Sequence, residues 1–275
     1  MSEAGFRAMG TAWFLRAEGC APAVLRKAQR RVTREERRFS RLDRRSALGR
    51  LNQDRTARDA VLASVVRDAL AFASWTHGAF DPMPAAPGAR LAPCAFEDGE
   101  CPVPTPARPT VSVRGDEVRL LGSGTLDLGG IVKGWMVDEI ARFLDDAGAE
   151  AYLVDGGGDV RVGMPMDALA WPLGAADGHV LRLRSRAVAT ASAPQGGCGG
   201  MSTHPLAAAR RPAGGYVTAT VVAPAAMTAD VLGSALIAGG DAVLPALLQF
   251  GAEALLERED GSRLMTPGLQ GWMHP

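Results

Sequence analysis

The stretch from Thr125 to Asp159 constrains this chain most. Leu126 and Leu128 read as a short apolar strand, Gly129-Gly130 as a turn, and the following residues as a helix with Lys133 in its first turn and Asp138 in its second. Strand, glycine turn and helix in that order make an anion-site layout. Glycines let backbone N–H groups approach an anion, the helix N-terminus adds partial positive charge, and a first-turn lysine adds a full one. Lys27 and Lys133 are the only lysines among thirty basic residues, so a compact ammonium at a helix start stands out in a chain that otherwise uses arginine. The same layout also serves as a plain connection between two elements. It matches neither G-x-x-x-x-G-K-S/T nor G-x-G-x-x-G, so neither nucleotide fingerprint applies.

Composition narrows the class. With 275 residues, 47% of them hydrophobic and 22% charged, the chain can bury a sizeable core. Thirty basic residues cancel thirty acidic ones, which removes any global electrostatic case for nucleic acid or membrane as a partner. The arginine-rich run from Arg26 to Arg45 alternates with Leu25, Val32 and Phe39, the pattern of a solvated helix face. Cys20, Cys94, Cys101 and Cys198 lack C-x-x-C spacing and support neither zinc nor a disulfide framework. No signal-peptide core, lipobox or membrane-spanning segment is read, and a cytoplasmic location is expected.

Along the chain, residues 5 to 16 read as a strand around Met9-Gly10-Thr11, and 23 to 41 as a helix. A short piece capped by Ser46 follows, then a helix over 59 to 77 that stops at Gly78. A Pro-rich irregular segment occupies about 82–108, and 111 to 121 reads as a hairpin about Gly115-Asp116. Beyond the opening stretch, 151–154 and 160–162 are strands joined by three glycines. Further strands are expected at 180–191 and 216–223, helices at 225–238 and 242–250, and a terminal strand pair at 254–258 and 263–265. Strands and helices mix without regular βαβ alternation, so the class is α+β in a single domain over 1–275.

The motifs, in order, are Met9-Gly10-Thr11; Phe39-Ser40 with Ser46, Leu48, Leu51 and Asn52; Gly78-Ala79-Phe80-Asp81-Pro82; and Leu126-Asp127-Leu128-Gly129-Gly130-Ile131-Val132-Lys133-Gly134 with Asp138. Asp155-Gly156-Gly157-Gly158-Asp159, Ala187-Val188-Ala189-Thr190, and Asp230 with Ser234 complete the set. Together they resemble the ApbE family, the FAD:protein FMN transferases. That resemblance implies an ApbE-like, T-fold-like architecture of mixed sheets packed with helices. It also implies Mg²⁺-dependent transfer of FMN from FAD to a Ser or Thr hydroxyl of an acceptor protein, with release of AMP.

By the same resemblance, Mg²⁺ is expected on Asp230, on Ser234 and on the Gly130 carbonyl. Asp230 and Ser234, four apart on a helix, share one face and offer hard oxygens suited to magnesium. A helix cap at Asp230 and simple small-residue packing at Ser234 would account for the same pair. FAD contacts are expected on Met9, Leu42, Ala79, Phe80, Asp81, Asp127 and Lys133, with His204 as the catalytic base. Two features depart from the family. Leu42 stands where an aromatic or polar group is usual, and His204 is followed by Pro205-Leu206 rather than by Asp-Pro-x-Thr-Gly. An FAD pyrophosphatase and a non-catalytic FAD-binding protein are therefore the rival readings.

Overall fold

The computed structural model describes residues 1–41, 43–83, 110–164, 171–174, 180–193 and 215–274. The first half of the chain runs β1 (Ser2–Ala8), β2 (Thr11–Glu18), α1 (Pro22–Phe39), α2 (Ala47–Asp54), β3 (Thr56–Arg58), α3 (Ala60–Trp75), β4 (Thr110–Arg114), β5 (Glu117–Leu121) and α4 (Val132–Asp146). The second half runs β6 (Ala151–Asp155), β7 (Val160–Gly163), β8 (Trp171–Gly174), β9 (Val180–Leu183), β10 (Ala187–Ser192), β11 (Tyr216–Ala223), α5 (Ala226–Gly239), α6 (Leu244–Gln249), β12 (Glu253–Arg258), β13 (Arg263–Met265) and β14 (Met273–His274). This is the expected α+β class. An eight-stranded sheet in the order β1-β2-β6-β7-β10-β11-β12-β13 forms the floor, with every neighbouring pair antiparallel.

Strand alternation builds two cores on the two faces of this sheet. Ala187 and Ala189 join Val221, Ala223, Ala254 and Leu256 in the main core under the helices. Their intervening neighbours Val188, Val222 and Leu255 pack on the opposite face with Val162, Leu181, Leu183 and Leu269. That second face is served by the small sheet β14-β9-β8. A third sheet, β3-β5-β4, packs with α3 and contains the expected hairpin about Gly115-Asp116.

Three local expectations change. The single strand over 5–16 is a hairpin, because Met9 (φ 51°) and Gly10 (φ 75°) both adopt the left-handed conformation of a two-residue turn. Leu126 and Leu128 are buried but belong to no strand. The Asn52 side-chain amide takes the place of a neighbouring strand, donating to the Leu126 carbonyl at 2.9 Å and accepting from the Leu126 N–H at 2.8 Å. The expected strand over 180–191 divides at Ser185, whose φ of 45° turns the chain from β9 in the small sheet to β10 in the large one.

The helix layer is held by α4 and α5, and neither caps its own N-terminus with a side chain. Each is capped by the other. The Asp138 carboxylate of α4 accepts from the N–H groups of Ala226 (2.8 Å) and Met227 (2.9 Å) at the start of α5. In return, the Gly134 N–H in the first turn of α4 donates to Asp230 Oδ2 of α5 at 3.3 Å. Such contacts satisfy donors that a helix start otherwise leaves open. Gly134 permits the approach, since a Cβ there would lie 2.6 Å from the Ala226 carbonyl oxygen. Arg161 Nη1 of β7 closes the arrangement on Asp138 Oδ1 at 2.5 Å.

One described segment, Ala226–Gln249, is long and apolar enough to cross a membrane, with mean hydropathy 1.8. It is interrupted by a 3-10 turn over Gly240–Val243, and nearly every residue from Ala226 to Ile237 is buried in the core. A helix apolar on all sides is what a core position requires.

Asp138→Ala removes two helix-start bonds and leaves the Arg161 guanidinium without its carboxylate. The expected cost is about 3 kcal/mol in urea denaturation. Glu139→Ala, one residue along and on the exposed Arg142 pair, changes stability little. Equal effects of the two substitutions would remove the junction from its structural role.

Candidate active site at the junction of two helices

The α4–α5 junction gathers charge in a mostly dry place. Lys133 Nζ donates to Asp159 Oδ2 and lies 3.9 Å from Asp230 Oδ2. Asp159 closes the glycine turn between β6 and β7. Asp230 is 7% exposed and Ser234, one turn further along α5, is 4% exposed. Asp230 sits in the second turn of its own helix, so it caps α4 and not α5. The Ser234 hydroxyl makes no hydrogen bond among the described residues. The Lys133 side chain keeps 29% exposure, and two of its three N–H donors face neither carboxylate at hydrogen-bond distance.

The electrostatics follow from crowding. Burial pushes the Asp159 carboxyl up to about 7, reinforced by the neighbouring Asp230 charge and opposed by Lys133. Burial raises Asp230 as well, against Lys133 and the Gly134 N–H. Burial alone would lower Lys133, but Asp230 and Asp159 outweigh it and hold the ammonium above its ordinary range. Two ionised carboxylates against one ammonium leave a net negative charge that the interior disfavours, and a divalent cation would relieve it.

The donor set fits magnesium, which takes hard oxygens and keeps much of its coordination for water and phosphate. Asp230 offers a buried carboxylate that accepts from the Gly134 N–H at 3.3 Å, and Ser234 a buried hydroxyl one turn further along α5. Among the described residues no group of three or more His, Cys, Asp or Glu side chains forms a metal cluster. Any ion here would therefore rest on one carboxylate, a hydroxyl and backbone oxygen.

A second group of residues adjoins the junction through Gly130. Beyond α3 the chain turns at His77 (φ 51°) and Gly78 (φ 81°) and delivers Ala79, Phe80 and Asp81. The Phe80 ring covers Gly130, where an added Cβ would lie 3.3 Å from Phe80 Cε2. The Pro82 carbonyl accepts from the Asp127 N–H at 2.8 Å. Asp127 Oδ1 accepts from the Gly129 N–H at 2.9 Å, and its other oxygen lies 3.7 Å from Arg41 Nε. Asp81 Oδ1 accepts from the Met83 N–H at 2.9 Å, and Ala79 packs on Gly239 at the end of α5.

Met9 lies in the turn between β1 and β2. Its N–H donates to Glu36 Oε1 at 2.6 Å, and Thr11 packs on Gly157 in the turn that ends at Asp159. The structure thus brings Ala79, Phe80, Asp81, Asp127 and Gly130 into one neighbourhood and sets Lys133 beside Asp230, with Ser234 one turn along α5. Leu42 and His204 lie outside the described residues. The described end of β10 is nevertheless beside the site, since Ala191 packs against Gly233 of α5.

Sequence reasoning missed Asp159 as the partner of Lys133, because the glycine run before it reads as a strand connection. It also left Arg41 and Glu36 within a solvated helix face. The available signal was an aspartate at each end of Gly156-Gly157-Gly158, more acid than a simple turn needs. Asp155 Oδ1 accepts from the Gly158 N–H at 2.8 Å and shapes the turn, whereas Asp159 faces the lysine.

Known structures share this fold. The flavin transferase ApbE from Vibrio cholerae matches with a TM-score of 0.74 and 19% identity, over 98% of this chain and 99% of that one. The ApbE protein from Thermotoga maritima matches with a TM-score of 0.77 and 24% identity, over 99% of each chain. The apo form of the Pseudomonas stutzeri flavinyl transferase ApbE gives 0.76 and 16% identity, over 99% of this chain and 97% of that one. A comparison with curated proteins gives no match. The profile of the ApbE family matches residues 9–256, which span both helices of the junction and the main-sheet strands from β2 to β11 with most of β12, and the chain belongs to the ApbE family.

Proposed function

We propose that this protein transfers FMN from FAD to a Ser or Thr hydroxyl of an acceptor protein, with Mg²⁺ as cofactor and AMP as the leaving product. The observation that carries the reading is the buried Lys133–Asp159–Asp230 cluster with the Ser234 hydroxyl beside it, in a family whose solved members include flavin transferases. In the reaction the hydroxyl oxygen bonds to the phosphorus on the FMN side of the pyrophosphate. The bond from that phosphorus to the AMP oxygen breaks, and the hydroxyl proton passes to a base. Transfer of this kind depends on positioning and charge neutralisation more than on covalent help from the enzyme.

The chain's own groups divide the work. Lys133, anchored on one side by Asp159, turns its remaining N–H donors to the pyrophosphate. Asp230, Ser234 and the Gly130 carbonyl are assigned to magnesium, which supplies charge neutralisation on the phosphate oxygens when bound. Met9, Leu42, Ala79, Phe80, Asp81 and Asp127 are assigned to the rest of FAD, and His204 to the hydroxyl proton. Asp127 orients with one oxygen, because the other holds the Gly129 N–H.

Incubation with FAD, Mg²⁺ and a candidate acceptor should add the mass of FMN to the acceptor and release equal AMP. AMP without a mass gain makes the protein a pyrophosphatase, and bound FAD with neither product makes it a carrier. Asp230→Asn should keep the fold and lower AMP release at least about 100-fold. Unchanged release at the same Mg²⁺ concentration would remove Asp230 from the metal site.

Metal binding should also appear in stability. The folded Asp159 value of about 7 lies above the ordinary 3.8 of the unfolded chain. Between those values the metal-free folded protein holds a proton that the unfolded chain releases, so this site's contribution falls as pH rises from about 4 to 7. A magnesium ion on Asp230 would be held more strongly beside an ionised Asp159 than beside a protonated one. The melting temperature difference between Mg²⁺ and EDTA should therefore grow from pH 5 to pH 8 and vanish in Asp230→Asn. The same difference at both pH values would contradict this electrostatic account.

A further inference from the structure

The helix α1 carries seven basic residues against two acidic ones in a chain whose total charge is zero. Its arginines fall into two sets. Arg38 is spent on Glu35 at 3.2 Å and Asp59 at 3.5 Å, and Arg31 lies over the Phe143 ring at 4.2 Å. Arg26, Arg30 and Arg37 are exposed and have no acidic partner among the described residues. With Arg34, Gln29 and Thr33 they line one groove of about 460 Å³ that contains no acidic side chain. Arg34 gives its Nε to Glu35 at 2.8 Å but keeps its side chain two-thirds exposed.

The groove has a direction. The spacing of Arg26, Arg30, Arg34 and Arg37 repeats at three and four residues, which sets guanidinium groups along one helix face for about 16 Å. An extended peptide covers that length with about five residues. The track ends at the candidate active site. Phe39 meets the Trp135 ring of α4 edge-on at 5.3 Å, Glu36 holds the Met9 N–H, and Arg41, four residues past Arg37, lies 3.7 Å from Asp127.

We infer that this arginine track is a docking surface for an extended acidic segment of the acceptor protein, holding the acceptor so that its hydroxyl enters the site beyond Phe39. The partner's identity as acceptor rests on the flavin-transfer reading above. A narrow row of guanidinium forks suits a few carboxylates on one strand of peptide, which they can grip bidentately. A neutral total charge gives no broad positive field of the kind that a nucleic acid or an anionic bilayer would need.

The test uses the full chain and the triple variant Arg26→Gln, Arg30→Gln, Arg37→Gln, none of which touches the site. A short fluorescein-labelled poly-glutamate peptide is titrated by anisotropy at low salt, with single-stranded poly-dT and phosphatidylserine vesicles titrated alongside. The peptide should bind the wild type, lose affinity with added salt, and bind the variant about tenfold more weakly. AMP release from FAD and far-UV circular dichroism should not change in the variant. Equal peptide affinity for both proteins overturns the proposal, and so does loss confined to poly-dT or to vesicles. Failure of the wild type to turn over FAD would instead sink the transfer reading, and the peptide titration would still decide the surface.

Discussion

Helices α4 and α5 cap one another, and the charged cluster of the candidate site is built on that exchange. Each helix starts without a side-chain cap of its own and takes a carboxylate from the other, Asp138 in one direction and Asp230 in the other. The exchange places the first turn of α4 against the start of α5 at a distance that only a residue without a Cβ allows at position 134. Lys133, next in the chain, is thereby carried to Asp230, and the β6–β7 turn supplies Asp159 from below. The charged cluster is thus a product of packing. The same groups that fix the helices set the electrostatic field of the site.

Much of the architecture is legible in the chain because its signals are local. The period of α1 and α3, the Ser46 cap, and the Gly115-Asp116 hairpin each depend on a few consecutive residues. The errors arise where a distant partner decides. Leu126 and Leu128 have the apolar look of a strand, yet the partner that satisfies Leu126 is an asparagine side chain 74 positions away. The division of 180–191 turns on a left-handed Ser185, which no hydrophobic pattern announces.

The site divides in the same way. Residue types and spacing on one helix suffice for Asp230 with Ser234, and a lysine at a helix start is visible in any reading of the chain. The lysine's partner is not. The layout of Gly129-Gly130 and Lys133 suggests an open anion cradle, but the structure fills part of it from within, with Gly134 N–H turned to Asp230 and Lys133 to Asp159. An incoming pyrophosphate would share the lysine with a carboxylate. A divalent cation on Asp230 would offset the excess negative charge of the two carboxylates.

A crystal structure of the protein with FAD and Mn²⁺, the latter located by its anomalous signal, decides whether Asp230 and Ser234 hold the metal. The expected result is an anomalous peak in bonding contact with an Asp230 oxygen and the Ser234 hydroxyl, with a pyrophosphate oxygen on the ion and another on Lys133. A peak elsewhere, with Asp230 free of metal and still accepting from the Gly134 N–H, would contradict that assignment.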